Sequence, residues 1–264
     1  MKRIRVVRHR QGEAPRATID SVAGEEPLEI RVDTRPIAVV MRTPGCDVEL
    51  AVGFLVSEGL IRRASEVREV RPNPRNPAGN SIDVLLSPEI TVDFGSLTRH
   101  VFASSSCGLC GATSIQSVRR QFPPLDPAPA VSAETLIGLP DRLRAFQTEF
   151  SRTGGLHAAG LFDAAGRVLA VREDVGRHNA VDKLLGWAFR EGQLPLRSVG
   201  LLVSGRVSFE IVQKALAGGI SFVAAVSAPS SLAVEFARKN RQTLVGFLRD
   251  GRFNVYSGTV DSTR

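Results

Sequence analysis

The residues best suited to chemistry in this sequence are two cysteines separated by two residues. Cys107 and Cys110 lie in the run Ser104-Ser105-Ser106-Cys107-Gly108-Leu109-Cys110-Gly111. Small neighbours leave sulfur atoms accessible, whereas a free cysteine in a core usually has large apolar neighbours. A short helix predicted just downstream would favour the thiolate over the thiol at its amino end. The pair is therefore predicted to perform thiolate chemistry.

Two other interpretations of the cysteine pair stay open. A structural zinc site needs four ligands, and the pair supplies two, so His100 or His157 would have to help complete it. A thioredoxin-like dithiol is typical of Cys-x-x-Cys, but its usual βαβ setting is not predicted here. The remaining cysteine, Cys46, stands alone at the start of a predicted helix and is interpreted as a filler rather than a catalyst.

A dense polar run lies at a predicted strand-to-helix junction, Glu173-Asp174-Val175-Gly176-Arg177-His178-Asn179-Ala180-Val181-Asp182-Lys183. Gly176 permits a tight turn, and the amino end of the helix offers free N–H groups. Arg177 and His178 supply donors suited to phosphate, and Asn179 follows them. A solvated loop would also account for this polarity, but the combination favours an anion site.

A second polar turn, Ser204-Gly205-Arg206, follows a continuous apolar strand. Ligands of open α/β sheets bind outside the carboxyl ends of strands, so both clusters are predicted to face one anionic ligand. His157, after a glycine pair, is either a structural histidine or a proton donor near that ligand. No Gly-x-x-x-x-Gly-Lys-Ser/Thr motif occurs, which argues against ATP hydrolysis.

Length and composition predict a folded protein and restrict its partners. The chain has 264 residues, of which 43% are hydrophobic, enough for one large domain or two small ones. No apolar run approaches the roughly 20 residues that span a bilayer, and no signal peptide is recognisable, so we expect a cytoplasmic protein without a membrane partner. The net charge of +7 suits an anionic partner. The single Trp and Tyr and the absence of DNA-binding motifs argue against nucleic acid.

The domain organisation follows from changes of composition. Residues 1–25 form a basic extension with little periodicity, interpreted as a solvated tail. The Pro-rich stretch 123–129 is the predicted domain boundary. It separates an N-terminal α+β subdomain over residues 26–122, which ends in the Cys-x-x-Cys loop, from a C-terminal α/β domain over residues 130–264.

Periodicity predicts the elements of both parts. In the first, a hairpin is predicted at 28–41, a helix at 47–60, and strands at 67–70 and 82–86. In the second, the predictions are a hairpin at 156–171, a helix around 181–188, apolar strands at 199–203 and 222–226, helices after each of these strands, and a hairpin at 244–256. The two apolar strands, joined through a helix, are expected to pair in parallel.

Together these motifs resemble the FdhD family of sulfur carrier proteins, which are required for formate dehydrogenase activity. The resemblance extends from about residue 25 to near the C-terminus. It rests on Glu26-Pro27-Leu28, Met41-Arg42-Thr43-Pro44-Gly45, Glu49-Leu50-Ala51-Val52-Gly53-Phe54-Leu55, the Ser-Ser-Cys-Gly-Leu-Cys-Gly run, Gly155-Leu156-His157-Ala158-Ala159, the Arg172-to-Lys183 run and Ser204-Gly205-Arg206.

The resemblance implies an α/β fold, with a cytidine-deaminase-like three-layer α/β/α domain and a smaller N-terminal α+β subdomain. Deamination itself is not expected, because the sequence lacks the His-x-Glu motif followed by Pro-Cys-x-x-Cys. The family also suggests a homodimer.

The resemblance further implies roles for particular residues. Cys107 would carry sulfur as a persulfide, and Cys110 would assist in receiving or releasing it. The hairpin Phe247-Leu248-Arg249-Asp250-Gly251-Arg252 would hold the guanine-nucleotide cofactor, with its two arginines on the pyrophosphate. Sulfur would pass from a cysteine desulfurase to molybdenum bis(molybdopterin guanine dinucleotide), for which GDP is a mimic, before the cofactor enters formate dehydrogenase.

Two functions of other classes remain as alternatives. In a zinc-dependent nucleotide hydrolase, Cys107 and Cys110 would hold stoichiometric metal. In a cofactor-binding chaperone, both cysteines would be incidental, and replacing them with Ala would leave formate dehydrogenase maturation intact. No metal is expected for a sulfur carrier.

Overall fold

The computed structural model describes residues 1–92, 94, 122, 125 and 131–261 of the chain. Its strands are β1 (Lys2–Arg8), β2 (Arg16–Val22), β3 (Glu26–Val32), β4 (Arg35–Arg42), β5 (Val67–Pro72), β6 (Ser81–Leu86), β7 (His157–Phe162), β8 (Val168–Asp174), β9 (Gly200–Val203), β10 (Phe222–Ala225), β11 (Thr243–Arg249) and β12 (Arg252–Ser257). Its α-helices are α1 (Asp47–Ser57), α2 (Ala133–Phe146), α3 (Thr148–Thr153), α4 (Arg177–Arg190), α5 (Phe209–Ala217) and α6 (Ser231–Lys239), with a 3-10 turn at Ala64–Glu66. Within these ranges no helix has the length and apolarity needed to cross a membrane.

The C-terminal half of the chain is built on a six-stranded sheet with the order β12-β11-β10-β9-β7-β8. Strands β9, β10 and β11 run parallel, while β7, β8 and β12 pair antiparallel to their neighbours. The uninterrupted apolar sequences of β9 and β10 are buried on both faces, as parallel strands require. The predicted parallel pair and both predicted hairpins are confirmed.

Helices cover both faces of this sheet. Leu202 and Ala224 pack with α2 on one face, whereas the alternate residues Leu201 and Val223 pack with α4, α5 and α6 on the other. The α/β class and the three-layer arrangement are therefore confirmed, and the cytidine-deaminase-like assignment stays a prediction.

The N-terminal part contains a four-stranded sheet with the order β4-β3-β6-β5. The predicted hairpin forms β3 and β4, and Asp33 and Thr34 adopt positive φ angles of 46° and 65° in its turn. Helix α1 packs on this sheet, and every residue from Glu49 to Ser57 is buried because α4 covers its opposite side. The core of this part thus continues into the C-terminal layers through α1.

The contact between α1 and α4 depends on two glycines. A methyl group added to Gly53 would overlap the carbonyl group of Asp182, and one added to Gly186 would overlap the carbonyl group of Glu49. The two backbones therefore touch at this crossing, and no side chain fits between them.

We expect Gly53→Ala to lower the free energy of unfolding by about 3 kcal/mol, because the new methyl group forces two packed backbones apart. Gly138→Ala is the matched control: Gly138 is also inside a helix, α2, but a Cβ there would meet only the Arg142 side chain, at 3.5 Å or more. Urea unfolding of both variants checks this. Equal midpoints would contradict the close crossing.

The N-terminal extension is not a tail without regular structure. Strands β1 and β2 pair antiparallel over their whole length, from Lys2 opposite Val22 to Arg8 opposite Arg16. The base of this hairpin packs on the body of the protein, since Ala23 lies against Gly155 and Gly24 against Pro44. In β1, Arg3 and Arg5 alternate with Ile4 and Val6, but this alternation is short and ends at Val7.

The predicted boundary at 123–129 falls almost entirely outside the described residues, so the division into residues 26–122 and 130–264 stays a prediction. Two described residues near it show where the chain passes. The Phe122 ring lies over Gly59 at the end of α1, and the Leu125 N–H donates to the Asn240 carbonyl at 3.4 Å.

Candidate anion-binding site

One edge of the six-stranded sheet collects most of the predicted site residues. The parallel strands β9 and β10 end there, and Ser204 and Val226 follow them. Because β7 and β8 run antiparallel to each other, the first residue of β7, His157, lies opposite the last residue of β8, Asp174. The topology thus brings the two predicted clusters together with His157.

His157 is enclosed by cationic groups. A Cβ placed on Gly205 would lie 3.1 Å from the imidazole Nδ1, so the turn packs directly on the ring. Burial lowers the pKa of His157, and the charges of Arg177, His178 and Arg206 lower it further, against a smaller opposing effect of Asp174. The lowered pKa therefore favours the neutral form of His157 at pH 7.

His178 is held by two partners on the neighbouring helix. Its Nε2 lies 3.0 Å from Ser208 Oγ and 2.9 Å from Glu210 Oε2. Burial alone would favour the protonated form of Glu210, but the hydrogen bond and charge of His178 lower its pKa overall. Because these contacts occupy Nε2, the Nδ1 nitrogen of His178 is the one available to a ligand.

Arg177 and Arg206 provide the positive charge of the site. Arg206 is exposed, whereas the Nε of Arg177 is buried and has no hydrogen-bond partner among the described residues. Arg177 begins α4, whose N-cap residue, Gly176, has no side chain to accept from the free N–H groups of the first turn. A buried donor without an acceptor is costly, so this place is suited to an anion.

Asp174 and Lys183, by contrast, belong to the scaffold. Lys183 Nζ lies 2.7 Å from Asp174 Oδ2 and donates to the Thr43 carbonyl at 2.9 Å. Asp174 also accepts from the backbone N–H groups of Thr43 and Gly176. Within the polar run, these two side chains therefore serve the fold, since buried charges need internal partners.

Asn179 and Ser204 also serve as braces. Asn179 Nδ2 donates to the Met41 carbonyl at 2.7 Å and to Asp174 Oδ1 at 3.0 Å. Ser204 Oγ accepts from the Ala158 N–H at 2.9 Å and ties β9 to β7. Their roles as ligand-binding residues stay predictions, and these hydrogen bonds show what else the side chains do.

The predicted nucleotide hairpin lies farther along the same edge. Hydrogen bonds link Val207 to Ala228 and Phe247 to Ser227, so the loops after β9, β10 and β11 form one continuous strip. At the usual strand spacing, the ends of β9 and β11 are about 10 Å apart. A ligand that contacts both Arg206 and Arg249 must therefore be extended.

The residues of this hairpin differ in what they can contact. Arg249, Asp250, Gly251 and Arg252 are exposed at its tip, and the Arg249 guanidinium lies 5.7 Å from the Phe247 ring centroid. Leu248 is fully buried between the sheet and α2. The structure therefore corrects the prediction for the Leu248 side chain, because strand alternation turns it into the core.

Cys107, Cys110 and His100 lie outside the described residues, so their predicted roles stay predictions. Cys46 is exposed at the start of α1, with a φ of 57°. Partial burial of its sulfur and the Glu49 carboxylate raise the pKa of the Cys46 thiol, and Arg172 and Lys183 oppose this effect. A raised pKa disfavours the thiolate, which agrees with its interpretation as a filler.

Glu210 and Thr43 were not among the predicted site residues. Glu210 lies in the first turn of α5, four residues after Arg206, and an acidic residue at the start of a helix after a polar turn is a signal that could have identified it. Thr43 lies in the resemblance motif at 41–45, but its contacts could not be predicted locally, because its partners Asp174 and Lys183 are more than a hundred residues away.

We expect His157 to make the protein less stable as the pH falls. Because the folded state lowers the His157 pKa from 6.5, the unfolded state binds the proton first, and stability is lost as the pH drops from about 6.5 towards the folded-state pKa. Melting temperatures between about pH 7.5 and pH 5.5 should fall less steeply for His157→Gln than for the wild type. The exposed His9 supplies the control, and a His9→Gln slope matching that of His157→Gln would contradict the assignment.

Fold and site together define a three-layer α/β protein with a basic edge beside the carboxyl ends of its parallel strands. The FdhD/NarQ family model matches residues 23–261. The chain therefore belongs to the FdhD/NarQ family.

Individual relatives agree with this assignment. The chain is 49% identical to the "Sulfur carrier protein FdhD" of Streptomyces avermitilis, over 97% of this chain and 94% of that protein. It is also 49% identical to the protein of the same name from Mycobacterium tuberculosis, over 96% and 95% of the two chains. The crystal structure of a proposed formate dehydrogenase accessory protein from Desulfotalea psychrophila superposes with a TM-score of 0.73 at 26% identity and covers 97% of this chain and 96% of that one.

Proposed function

We propose that this protein is a sulfur carrier that serves formate dehydrogenase maturation by passing sulfur to molybdenum bis(molybdopterin guanine dinucleotide). Near-full-length relatives carry the name sulfur carrier protein, and the structural relative is described as a formate dehydrogenase accessory protein. The family membership supports the same role here. The proposal includes a cytoplasmic location and a homodimer.

The observation that carries the ligand assignment is the unpartnered donor of Arg177. Its buried Nε lies in a site with Arg206, neutral His157 and His178. Guanidinium groups bind phosphate oxygens in a directional manner, and a buried donor gains most from such an acceptor. The strip of linked loops from Ser204 to Phe247 suits a ligand with an extended, doubly anionic arm, as the pyrophosphate of a dinucleotide is.

Cys107 and Cys110 carry out the two steps of sulfur transfer, persulfide formation and sulfur release. The Cys107 thiolate attacks the outer sulfur of a desulfurase cysteine persulfide, a new S–S bond forms, and the desulfurase cysteine leaves as a thiolate. The Cys110 thiol then attacks the Cys107 sulfur and displaces hydrosulfide to the cofactor. Cys110 supplies the electron pair of the new Cys107–Cys110 bond and gives up its thiol proton. A cellular dithiol reductant then reduces the resulting disulfide.

The length of chain before Cys107 allows this delivery. Phe94 packs on Arg35, whose guanidinium lies 4.8 Å from the ring centroid, at the end of β4 remote from Thr43. Strand β4 spans roughly 26 Å, whereas the chain from Phe94 to Cys107 can extend to about 43 Å. The cysteine is therefore within reach of the site at the other end of β4.

The ligand half of the proposal is tested with GDP as the probe. We expect Arg177→Ala to raise the Kd for GDP about tenfold, since it removes one charged, partly buried donor to phosphate. Arg190→Ala, at the exposed last residue of the same helix, is the matched control and should leave the Kd within about twofold. Isothermal titration calorimetry measures both, and equal Kd values for the two variants would refute the site.

A further inference from the structure

The function proposed above gives no role to the β1–β2 hairpin. A two-stranded sheet is at best marginally stable in water unless something packs on it. Here the hairpin is attached at its base, through Ala23 on Gly155 and Gly24 on Pro44, and β2 also lies near α3. The rest of both strands lies at the surface, mostly exposed.

One face of this hairpin is both basic and apolar. Residues that pair directly across the strands share a face, and one such set is Arg3, Arg5, Val7, Ala17, Ile19 and Ser21. We call this set the arginine face. It carries no acidic side chain, and 61% of Val7 and 54% of Ile19 are exposed. Among the described residues, neither Arg3 nor Arg5 has an ion-pair partner.

The position of the hairpin indicates what would dock on it. Gly155 lies two residues before His157, and Pro44 follows Thr43, which binds Asp174 beneath the site. The hairpin thus rises from the rim of the anion site. The described ends of the cysteine segment, Phe94 and Phe122, pack at the opposite end of α1 and β4. A protein seated on the hairpin would therefore face the bound ligand.

The chemistry of the arginine face discriminates between the possible binding partners. A second copy pairing through this same face would bring four arginines together with no acidic residue, which opposes association. The absence of Phe, Tyr and Trp from residues 1–25 removes the stacking that single-stranded nucleic acid needs. Two arginines beside two exposed aliphatic side chains instead match an acidic protein surface with an apolar centre.

We propose that the arginine face docks the protein that takes the ligand from the anion site, through an acidic surface of that protein. This inference rests on the proposed function, under which that recipient is the formate dehydrogenase apoprotein. Docking at the rim places the recipient next to the outgoing cofactor, so that transfer does not require release into water.

The test measures binding of purified formate dehydrogenase apoprotein to the full-length protein by biolayer interferometry at low and high salt. We expect Arg3→Glu/Arg5→Glu to raise the Kd at least tenfold and to flatten its salt dependence. Val7→Ser/Ile19→Ser should raise the Kd without changing the salt dependence. Arg68→Glu/Arg75→Glu reverses two exposed charges in the N-terminal sheet region and should leave the Kd within about twofold.

Several results would overturn the proposal. Equal Kd values for the hairpin and control variants would do so, as would a dimer lost only in the hairpin variants in sedimentation. Hairpin-dependent binding of duplex DNA or anionic vesicles, with none of the apoprotein, would assign the face to another partner. Sulfur loading of the wild type by a desulfurase is followed in parallel. Its absence would refute the proposed function, whereas normal loading with hairpin-independent docking would refute this inference alone.

Discussion

Replacing Cys107 with Ala should abolish sulfur transfer completely, which is the largest effect expected of any single substitution in this protein. Incubation of the wild type with a cysteine desulfurase and cysteine should add about 32 Da per sulfur, and a reductant should remove it. Cys107→Ala should gain no mass, because the proposed function assigns the attack on the donor persulfide to the Cys107 thiolate. Intact-protein mass spectrometry gives the result directly.

Two further cysteine variants make this result specific. Cys110→Ala should still be loaded but should fail to release hydrosulfide, so it accumulates the persulfide. Cys46→Ala is the matched control and should load like the wild type, because burial and Glu49 raise the pKa of that thiol. If Cys46→Ala were no longer loaded with sulfur while Cys107→Ala still was, the persulfide would have to be assigned to Cys46 instead of Cys107.

The same variants separate the alternative functions. A cofactor-binding chaperone would support formate dehydrogenase activity with both Cys107 and Cys110 replaced by Ala. A zinc-dependent hydrolase would contain stoichiometric zinc that is lost with the same cysteines. A sulfur carrier should lose formate dehydrogenase maturation in Cys107→Ala while GDP binding at the described site persists.

Replacing Lys183 with Met should lower the free energy of unfolding by about 4 kcal/mol, because it leaves the Asp174 carboxylate buried without its cation. Both side chains are at most 2% exposed. The same substitution should weaken GDP binding, since Asp174 and Lys183 join the Thr43 loop to the turn that carries Arg177. Urea unfolding and calorimetry measure the two effects.

The control for this prediction is Lys239→Met, in the exposed last turn of α6, which should change stability by no more than about 0.5 kcal/mol. Adding Asp174→Asn to Lys183→Met should recover part of the lost stability, because Asp174→Asn removes the uncompensated carboxylate charge. A loss in Lys183→Met no larger than that in Lys239→Met would show that the pair does not support the fold.

Most of the secondary structure could be predicted from the sequence, because periodicity is a local property. The apolar runs of β9 and β10, the alternation in β3 and β4, and the terminal hairpin each contain their signal within a few residues. The β1–β2 hairpin was the exception, since its alternation over residues 3–6 is short and lies in a basic stretch that is typical of a solvated tail.

The candidate site could likewise be predicted from the sequence only in part. The residue types of Arg177, His178 and Arg206 were sufficient to predict an anion site, and strand order was sufficient to bring them to one edge. Which polar residues face the ligand could not be predicted locally. Leu248 turns into the core, and His178 finds Glu210 on the next helix, thirty-two residues along the chain.

The sequence by itself therefore determined the family, the α/β layers and the cationic character of the ligand site. Only the tertiary structure decided that Asp174 and Lys183 form the scaffold, that Arg177 keeps an unpartnered buried donor, and that the basic extension rises from the rim of the site. The physical reason is that burial and ion pairing depend on contacts between residues distant in the chain, and no local pattern encodes those contacts.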